Sequence, residues 1–135
     1  MNEENPFELP LTVRGYEMDA FQHVNNAVYV QYFEHARWMA LKEMAPTLLL
    51  GEGMSIVVRK LSVEYEAPAK VFDELLVRFW IERIGRTSLT FGQDLRQAKD
   101  DRILARAEVV AVCLGADGRP REVPQEWKRL AGIDR

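Results

Sequence analysis

The sequence predicts an α+β fold in which a curved antiparallel sheet of about five strands wraps round one long central helix. Three observations predict it. From Asn26 to Met44 apolar residues recur three to four apart, which is the period of a helix. From Met54 almost to the end the period is two, which is the period of half-buried strands. The apolar face of the helix is unusually broad, and a sheet curling round it covers such a face best.

The chain has 135 residues, 47% of them hydrophobic, and a net charge of −3. This length predicts a single domain spanning 1–135, with its core over about 9–130, large enough to bury a core without disulfide or metal support. The charge balance and the lack of any Lys/Arg run longer than two argue against nucleic acid as a partner. No apolar run has membrane-spanning length and the N-terminus does not read as a signal peptide, so a cytoplasmic protein with no membrane partner is expected. The lone Cys113 excludes an internal disulfide, and two histidines with one cysteine cannot build a Cys/His zinc cluster.

Taken in order, Met1 to Pro6 reads as a loose tail. Leu9, Leu11 and Val13 alternate with Pro10, Thr12 and Arg14 as a strand. Pro10 lacks an N–H, so that strand starts there or lies at an edge. Gly15 ends the regularity. In the helix, Tyr29, Phe33, Ala36, Ala40 and Met44 form the apolar stripe, widened by Val28, Tyr32 and Met39. Asn25 or Asn26 is the N-cap. Ala45 resists helical dihedrals because Pro46 follows it. Leu48 to Gly53 reads as a turn or a short helical piece. Strands follow over Met54–Ala67, from Leu75 to Ile81, from Leu89 to Leu95 and over Ile103–Leu114. Turns fall at Gly85-Arg86-Thr87, Lys99-Asp100-Asp101 and Asp117-Gly118. Pro124 opens a short terminal helix, Gln125 to Leu130. The order is β-α-β-β-β-β, without an internal repeat or linker.

Between the first strand and the long helix lies a polar loop. Asp19 and His23 sit in it, and Asn25 and Asn26 mark the helix start. An acid, an imidazole and free helix-start amides thus fall close together, an arrangement suited to acyl chemistry. A carboxylate can attack an acyl carbonyl or take a proton from an attacking water. Amides from Asn26 onward can meet the negative charge that develops on the carbonyl oxygen. The plainer readings are that Asp19 caps a turn, that Asn25 and Asn26 only cap the helix, and that His23 is structural.

Several motifs together resemble the hotdog-fold acyl-CoA thioesterases, the family that includes 4-hydroxybenzoyl-CoA thioesterase. They are Glu17-x-Asp19 with His23-Val24-Asn25-Asn26, Tyr29 and Glu34-x-x-Arg37; Val57-Val58-Arg59 with Val63-Glu64-Tyr65, Pro68-Ala69 and Asp73-x-Leu75; and the ending Arg121 to Pro124. The resemblance covers roughly residues 9 to 130. It implies the hotdog fold, hydrolysis of an acyl-CoA to a carboxylic acid and free CoA, no metal or other cofactor, and a homodimer or homotetramer with its sites at subunit boundaries. Asp19 matches the family's catalytic acid, and His23 matches its His-Val-Asn-Asn variant, where it would orient the acid or the water or protonate the leaving thiolate. Asn26 joins them as a catalytic candidate. Asn25 and Tyr29, with Arg59, Lys60 and Ser62 on the strand that borders the site in relatives, are the expected substrate contacts, the last three toward the pantetheine arm or the CoA phosphates. Some relatives have a histidine where this chain has Asn26 and a tyrosine where it has Gly15. The Glu34–Arg37 spacing is read as a structural pair, and the three tryptophans as packing residues. The motif is also similar to that of plant acyl-carrier thioesterases, so an acyl-carrier-protein ester is the alternative substrate. A non-catalytic acyl-thioester-binding subunit is the alternative class.

Overall fold

Five strands and two helices carry the periodicities through: β1 (Phe7–Thr12), α1 (Asn26–Met44), β2 (Met54–Tyr65), β3 (Glu74–Ile84), β4 (Ser88–Gln97), β5 (Ile103–Gly115) and α2 (Gln125–Leu130). They are seen in a computed structural model that describes residues 1–46 and 53–132. The turn or helical piece expected at Leu48–Gly53 lies, apart from Gly53, outside the described residues.

All five strands form one antiparallel sheet in the order β1-β3-β4-β5-β2. β1 is an edge strand, as Pro10 requires. β2 is the other edge, and among the described residues it pairs with β5 alone. Its register shifts between Val58 and Lys60, which leaves Arg59 as the extra residue of a β-bulge.

One face of the sheet receives α1. Tyr29, Tyr32, Phe33, Ala36, Ala40 and Leu41 of the helix are buried against Leu75, Val77 and Phe79 of β3, Leu89, Phe91 and Leu95 of β4, and Val109 and Ala111 of β5. The helix starts at an N-cap, Asn25, whose side chain accepts the Ala27 N–H at 2.8 Å. It ends at Ala45, whose N–H still reaches Leu41 O. The terminal helix lies over the same core and buries Trp127 fully.

Two expectations need correction. The Glu34–Arg37 ion pair does not form. Arg37 turns inward, 8% exposed, and its Nη1 donates to Gln93 Oε1 at 3.1 Å, while Gln93 Nε2 donates to the Phe33 carbonyl at 3.0 Å. The N-terminal tail is not loose. The Met1 carbonyl accepts the Ile81 N–H, the Met1 ammonium donates to Leu130 O, and the Glu3 carbonyl accepts from Arg78 Nη2 at 2.7 Å.

The other face of the sheet carries Trp80, which lies directly over Gly92 with the Arg78 guanidinium 5.3 Å from its ring centroid. Trp38 alone of the three tryptophans is exposed.

Candidate functional site

The segment between β1 and α1 is drawn tight by its own backbone. A 3-10 turn, Gly15–Glu17, follows β1. The Asn25 N–H donates to Glu17 O at 3.0 Å, Met18 bridges Val24, and the Asp19 N–H donates to His23 O at 2.8 Å. The loop is thus a narrow ladder with Asp19 and His23 facing each other near its tip. The tip closes with the Gln22 N–H on Asp19 O at 3.1 Å, Gln22 taking the left-handed conformation (φ 63°) that non-glycine residues adopt at some cost.

The Asp19 side chain does two separable things. Oδ1 accepts the Phe21 N–H at 2.9 Å and the His23 N–H at 3.3 Å, which makes it the cap of its own turn. Oδ2 has no hydrogen-bond partner among the described residues.

A cavity of about 550 Å³ opens at this point, lined by Asp19, Phe21, His23, Asn26, Tyr29 and Tyr65 among others. Asn26 is the first residue of α1. The Asn25 side chain has taken the Ala27 N–H and the Asn25 carbonyl takes the Val28 N–H, but the Asn26 N–H has no acceptor among the described residues. It therefore stands free at the positive end of a 19-residue helix. Tyr29 is 3% exposed, and its hydroxyl accepts the Ala69 N–H at 2.9 Å. Burial pushes its phenol up from the ordinary value, against the pull of that amide. Tyr65, at the end of β2, donates to Asn26 O at 3.0 Å and sets its ring 5.2 Å from that of Tyr29.

Asp19, His23, Asn26 and Tyr29 thus come together as the sequence leads one to expect. The His23 imidazole makes no hydrogen bond among the described residues; only its backbone meets Asp19. Asn25, Arg59, Lys60 and Ser62 are not brought to this cavity. Asn25 is occupied as the N-cap. Arg59 and Lys60 are exposed on the outer edge strand at its bulge. Ser62 shares a cleft with Glu64, Arg106 and Glu108, because alternation puts it on the opposite face of β2 from Tyr65. Tyr65 is the site residue the motif contained without an assignment. The signal for it is the face it shares with Val63 and Leu61, at the last position of the strand. Among the described residues no cluster of three or more His, Cys, Asp or Glu could hold a metal, and no helix is long and apolar enough to cross a membrane.

Residues 21–104 match the Thioesterase superfamily. The acyl-CoA thioester hydrolase YbgC of Escherichia coli O6:H1 is 35% identical over 122 residues, which is 88% of this chain and 90% of that protein. The long-chain acyl-CoA thioesterase FadM of Escherichia coli K12 is 29% identical over 105 residues, 77% of this chain and 80% of that one. A solved thioesterase from Thermus thermophilus, complexed with coenzyme A and Zn, superimposes with a TM-score of 0.80 at 28% identity, covering 92% of this chain and 90% of its own.

Proposed function

The chain belongs to the Thioesterase superfamily and is an acyl-CoA thioester hydrolase, and we propose that Asp19 carries its chemistry at the cavity where the loop meets the start of α1. The observation that carries the assignment is the division of labour in one carboxylate: Oδ1 holds the turn and Oδ2 is left over. The oxyanion forming on the thioester carbonyl meets the Asn26 N–H and the helix dipole. With Asp19 as base, the water oxygen bonds to the carbonyl carbon, its proton passes to the Asp19 carboxylate, and the carbon–sulfur bond breaks as CoA leaves as thiolate and takes up a proton. With Asp19 as nucleophile, Oδ2 itself bonds to that carbon, CoA leaves, and water then cleaves the mixed anhydride. His23, at the cavity edge, is the residue we assign to orienting the acid or the water, or to protonating the thiolate. Tyr29 and Tyr65 form the wall against which the thioester lies.

The working unit we infer is a homodimer or homotetramer of this single domain, in the cytoplasm, with neither nucleic acid nor membrane as partner. Among the described residues the outer edge of β2 is unpaired, and beside it Trp38, Leu41, Met54, Ile56 and Phe91 line a mostly apolar cavity of about 440 Å³. Val57 and Val58 are exposed at 48% and 43% on the same strand. A second copy pairing there closes the edge. It also sets Arg59, Lys60 and Ser62 at a subunit boundary, where cationic and hydroxyl groups meet the pantetheine arm and phosphates of CoA. Thiol release over a panel of acyl-CoAs from acetyl to palmitoyl, with benzoyl esters and a matched palmitoyl carrier protein, tests the reading. Turnover of the CoA esters supports it. Tight binding without turnover, or turnover of the carrier ester alone, overturns it.

A further inference from the structure

Glu17 stands two residues before Asp19 and does not line the cavity. Its residue is 7% exposed, yet it is charged and both of its carboxylate oxygens are committed. Oε1 accepts the Arg14 N–H at 2.8 Å and the Tyr32 hydroxyl at 2.7 Å, and Oε2 accepts from Arg14 Nη1 at 2.9 Å. A buried carboxylate is unfavourable unless donors meet it. Here burial pushes the group up, but the Arg14 amide, the Tyr32 hydroxyl and the Arg14 guanidinium outweigh that and hold it below the usual carboxylate range. Tyr32 is 4% exposed on the second turn of α1, with its ring stacked 6.5 Å from that of Tyr29 in the cavity wall.

These contacts form a brace. The backbone of Glu17 closes the base of the loop onto the helix N-cap, through the Asn25 N–H. Its side chain anchors the same base to the helix body, through Tyr32. Asp19 is two residues further along a loop whose strands are joined by backbone bonds and by its own Oδ1. We infer that Glu17 is a positioning residue for the hydrolysis: together with Tyr32 it sets where Asp19 stands relative to the Asn26 N–H. The inference rests on Asp19 being the chemical acid. Acyl transfer is sensitive to such placement, since an error of about 1 Å in a reacting group can lower the rate by about a hundredfold.

The test measures kcat, KM and melting temperature for Glu17→Ala, Glu17→Gln and Tyr32→Phe, assayed well below each melting temperature. Glu17→Ala should lower kcat by about tenfold or more while KM stays within about twofold, because the misplaced acid acts in the transition state. Glu17→Gln keeps an oxygen that accepts the same bonds at Oε1 and should recover most of the loss. Tyr32→Phe keeps the packed ring, removes one donor, and should show a smaller loss. In the Asp19→Asn background, Glu17→Ala should lower kcat no further, since both changes act through one group. Wild-type kcat in folded Glu17→Ala and Tyr32→Phe overturns the inference, as does a full additional loss in the Asp19→Asn background. If Asp19→Asn itself turns over normally, it is the assignment of Asp19 that has failed. If Asp19→Asn is inactive and Glu17→Ala is not, the positioning role alone has failed.

Discussion

His23 is joined to Asp19 through its backbone and not through its ring: its N–H reaches Asp19 Oδ1 at 3.3 Å and its carbonyl accepts the Asp19 N–H at 2.8 Å. The loop geometry is therefore indifferent to the imidazole, which is left for the cavity. A change to alanine deletes the ring and keeps every bond that shapes the loop. We expect His23→Ala to melt like wild type and to lose kcat while KM changes much less. Unchanged turnover assigns His23 to the loop alone.

The brace under the loop gives an independent pH prediction. The Glu17 carboxyl is held below its ordinary value of 4.5, so the folded state favours its charged form. The stability this confers is complete above the ordinary value and is lost as pH falls through the lowered one. Glu17→Gln removes that share. The gap in melting temperature between wild type and Glu17→Gln should be constant near neutrality and narrow on acidification. A gap that persists unchanged into the acid range contradicts it.

The strands, the long helix and the loop between β1 and α1 were legible in the sequence because each rests on a local rule. Pro10 marked a strand start or an edge, Asn25 or Asn26 a cap, Ala45-Pro46 a stop, and the alternation from Leu75 to Ile81 one strand face. What was not legible depends on contacts far apart in the chain. Arg37 looks like a surface cation until Gln93, 56 residues away, is seen to accept from it. Glu17 looks like a surface acid until Tyr32 closes over it. Met1–Pro6 has a tail's composition, and contacts from Arg78, Ile81 and Leu130 tie it down. Ser62 was placed by motif, whereas parity along β2 sends it to the face away from Tyr65.

Gly92 is required by close approach. A Cβ built there clashes with the Trp80 ring, and Trp80 is 6% exposed and tied to Glu82 through Nε1 at 3.1 Å. Gly92→Ala should destabilise the protein by about 1–3 kcal/mol, the usual effect of overpacking. Because Trp80 lies across the sheet from α1, kcat of the folded variant should stay at the wild-type value. Denaturant melts check the first expectation and thiol release the second. A variant as stable as wild type shows that Trp80 moves aside freely.

Association through β2 predicts that assembly and activity fail together. Val57→Lys with Val58→Lys places two charges on the unpaired edge. Light scattering should then report a mass near the 15.6 kDa of one chain, in place of a multiple of it, with turnover lost in step. A fully active monomer, in wild type or variant, rules out a boundary site.

The most direct measurement is the turnover of Asp19→Asn. Asparagine keeps an oxygen for the Phe21 and His23 amides, so the turn and the melting temperature should be preserved. It replaces the other oxygen, the one without a partner among the described residues, by an amide nitrogen that can neither attack a carbonyl nor accept a proton. We predict a fall in kcat of about a hundredfold or more with KM changed much less, in a protein that melts like wild type. Near-normal turnover in that same folded variant would leave Asp19 as a turn cap and contradict its assignment as the chemical acid.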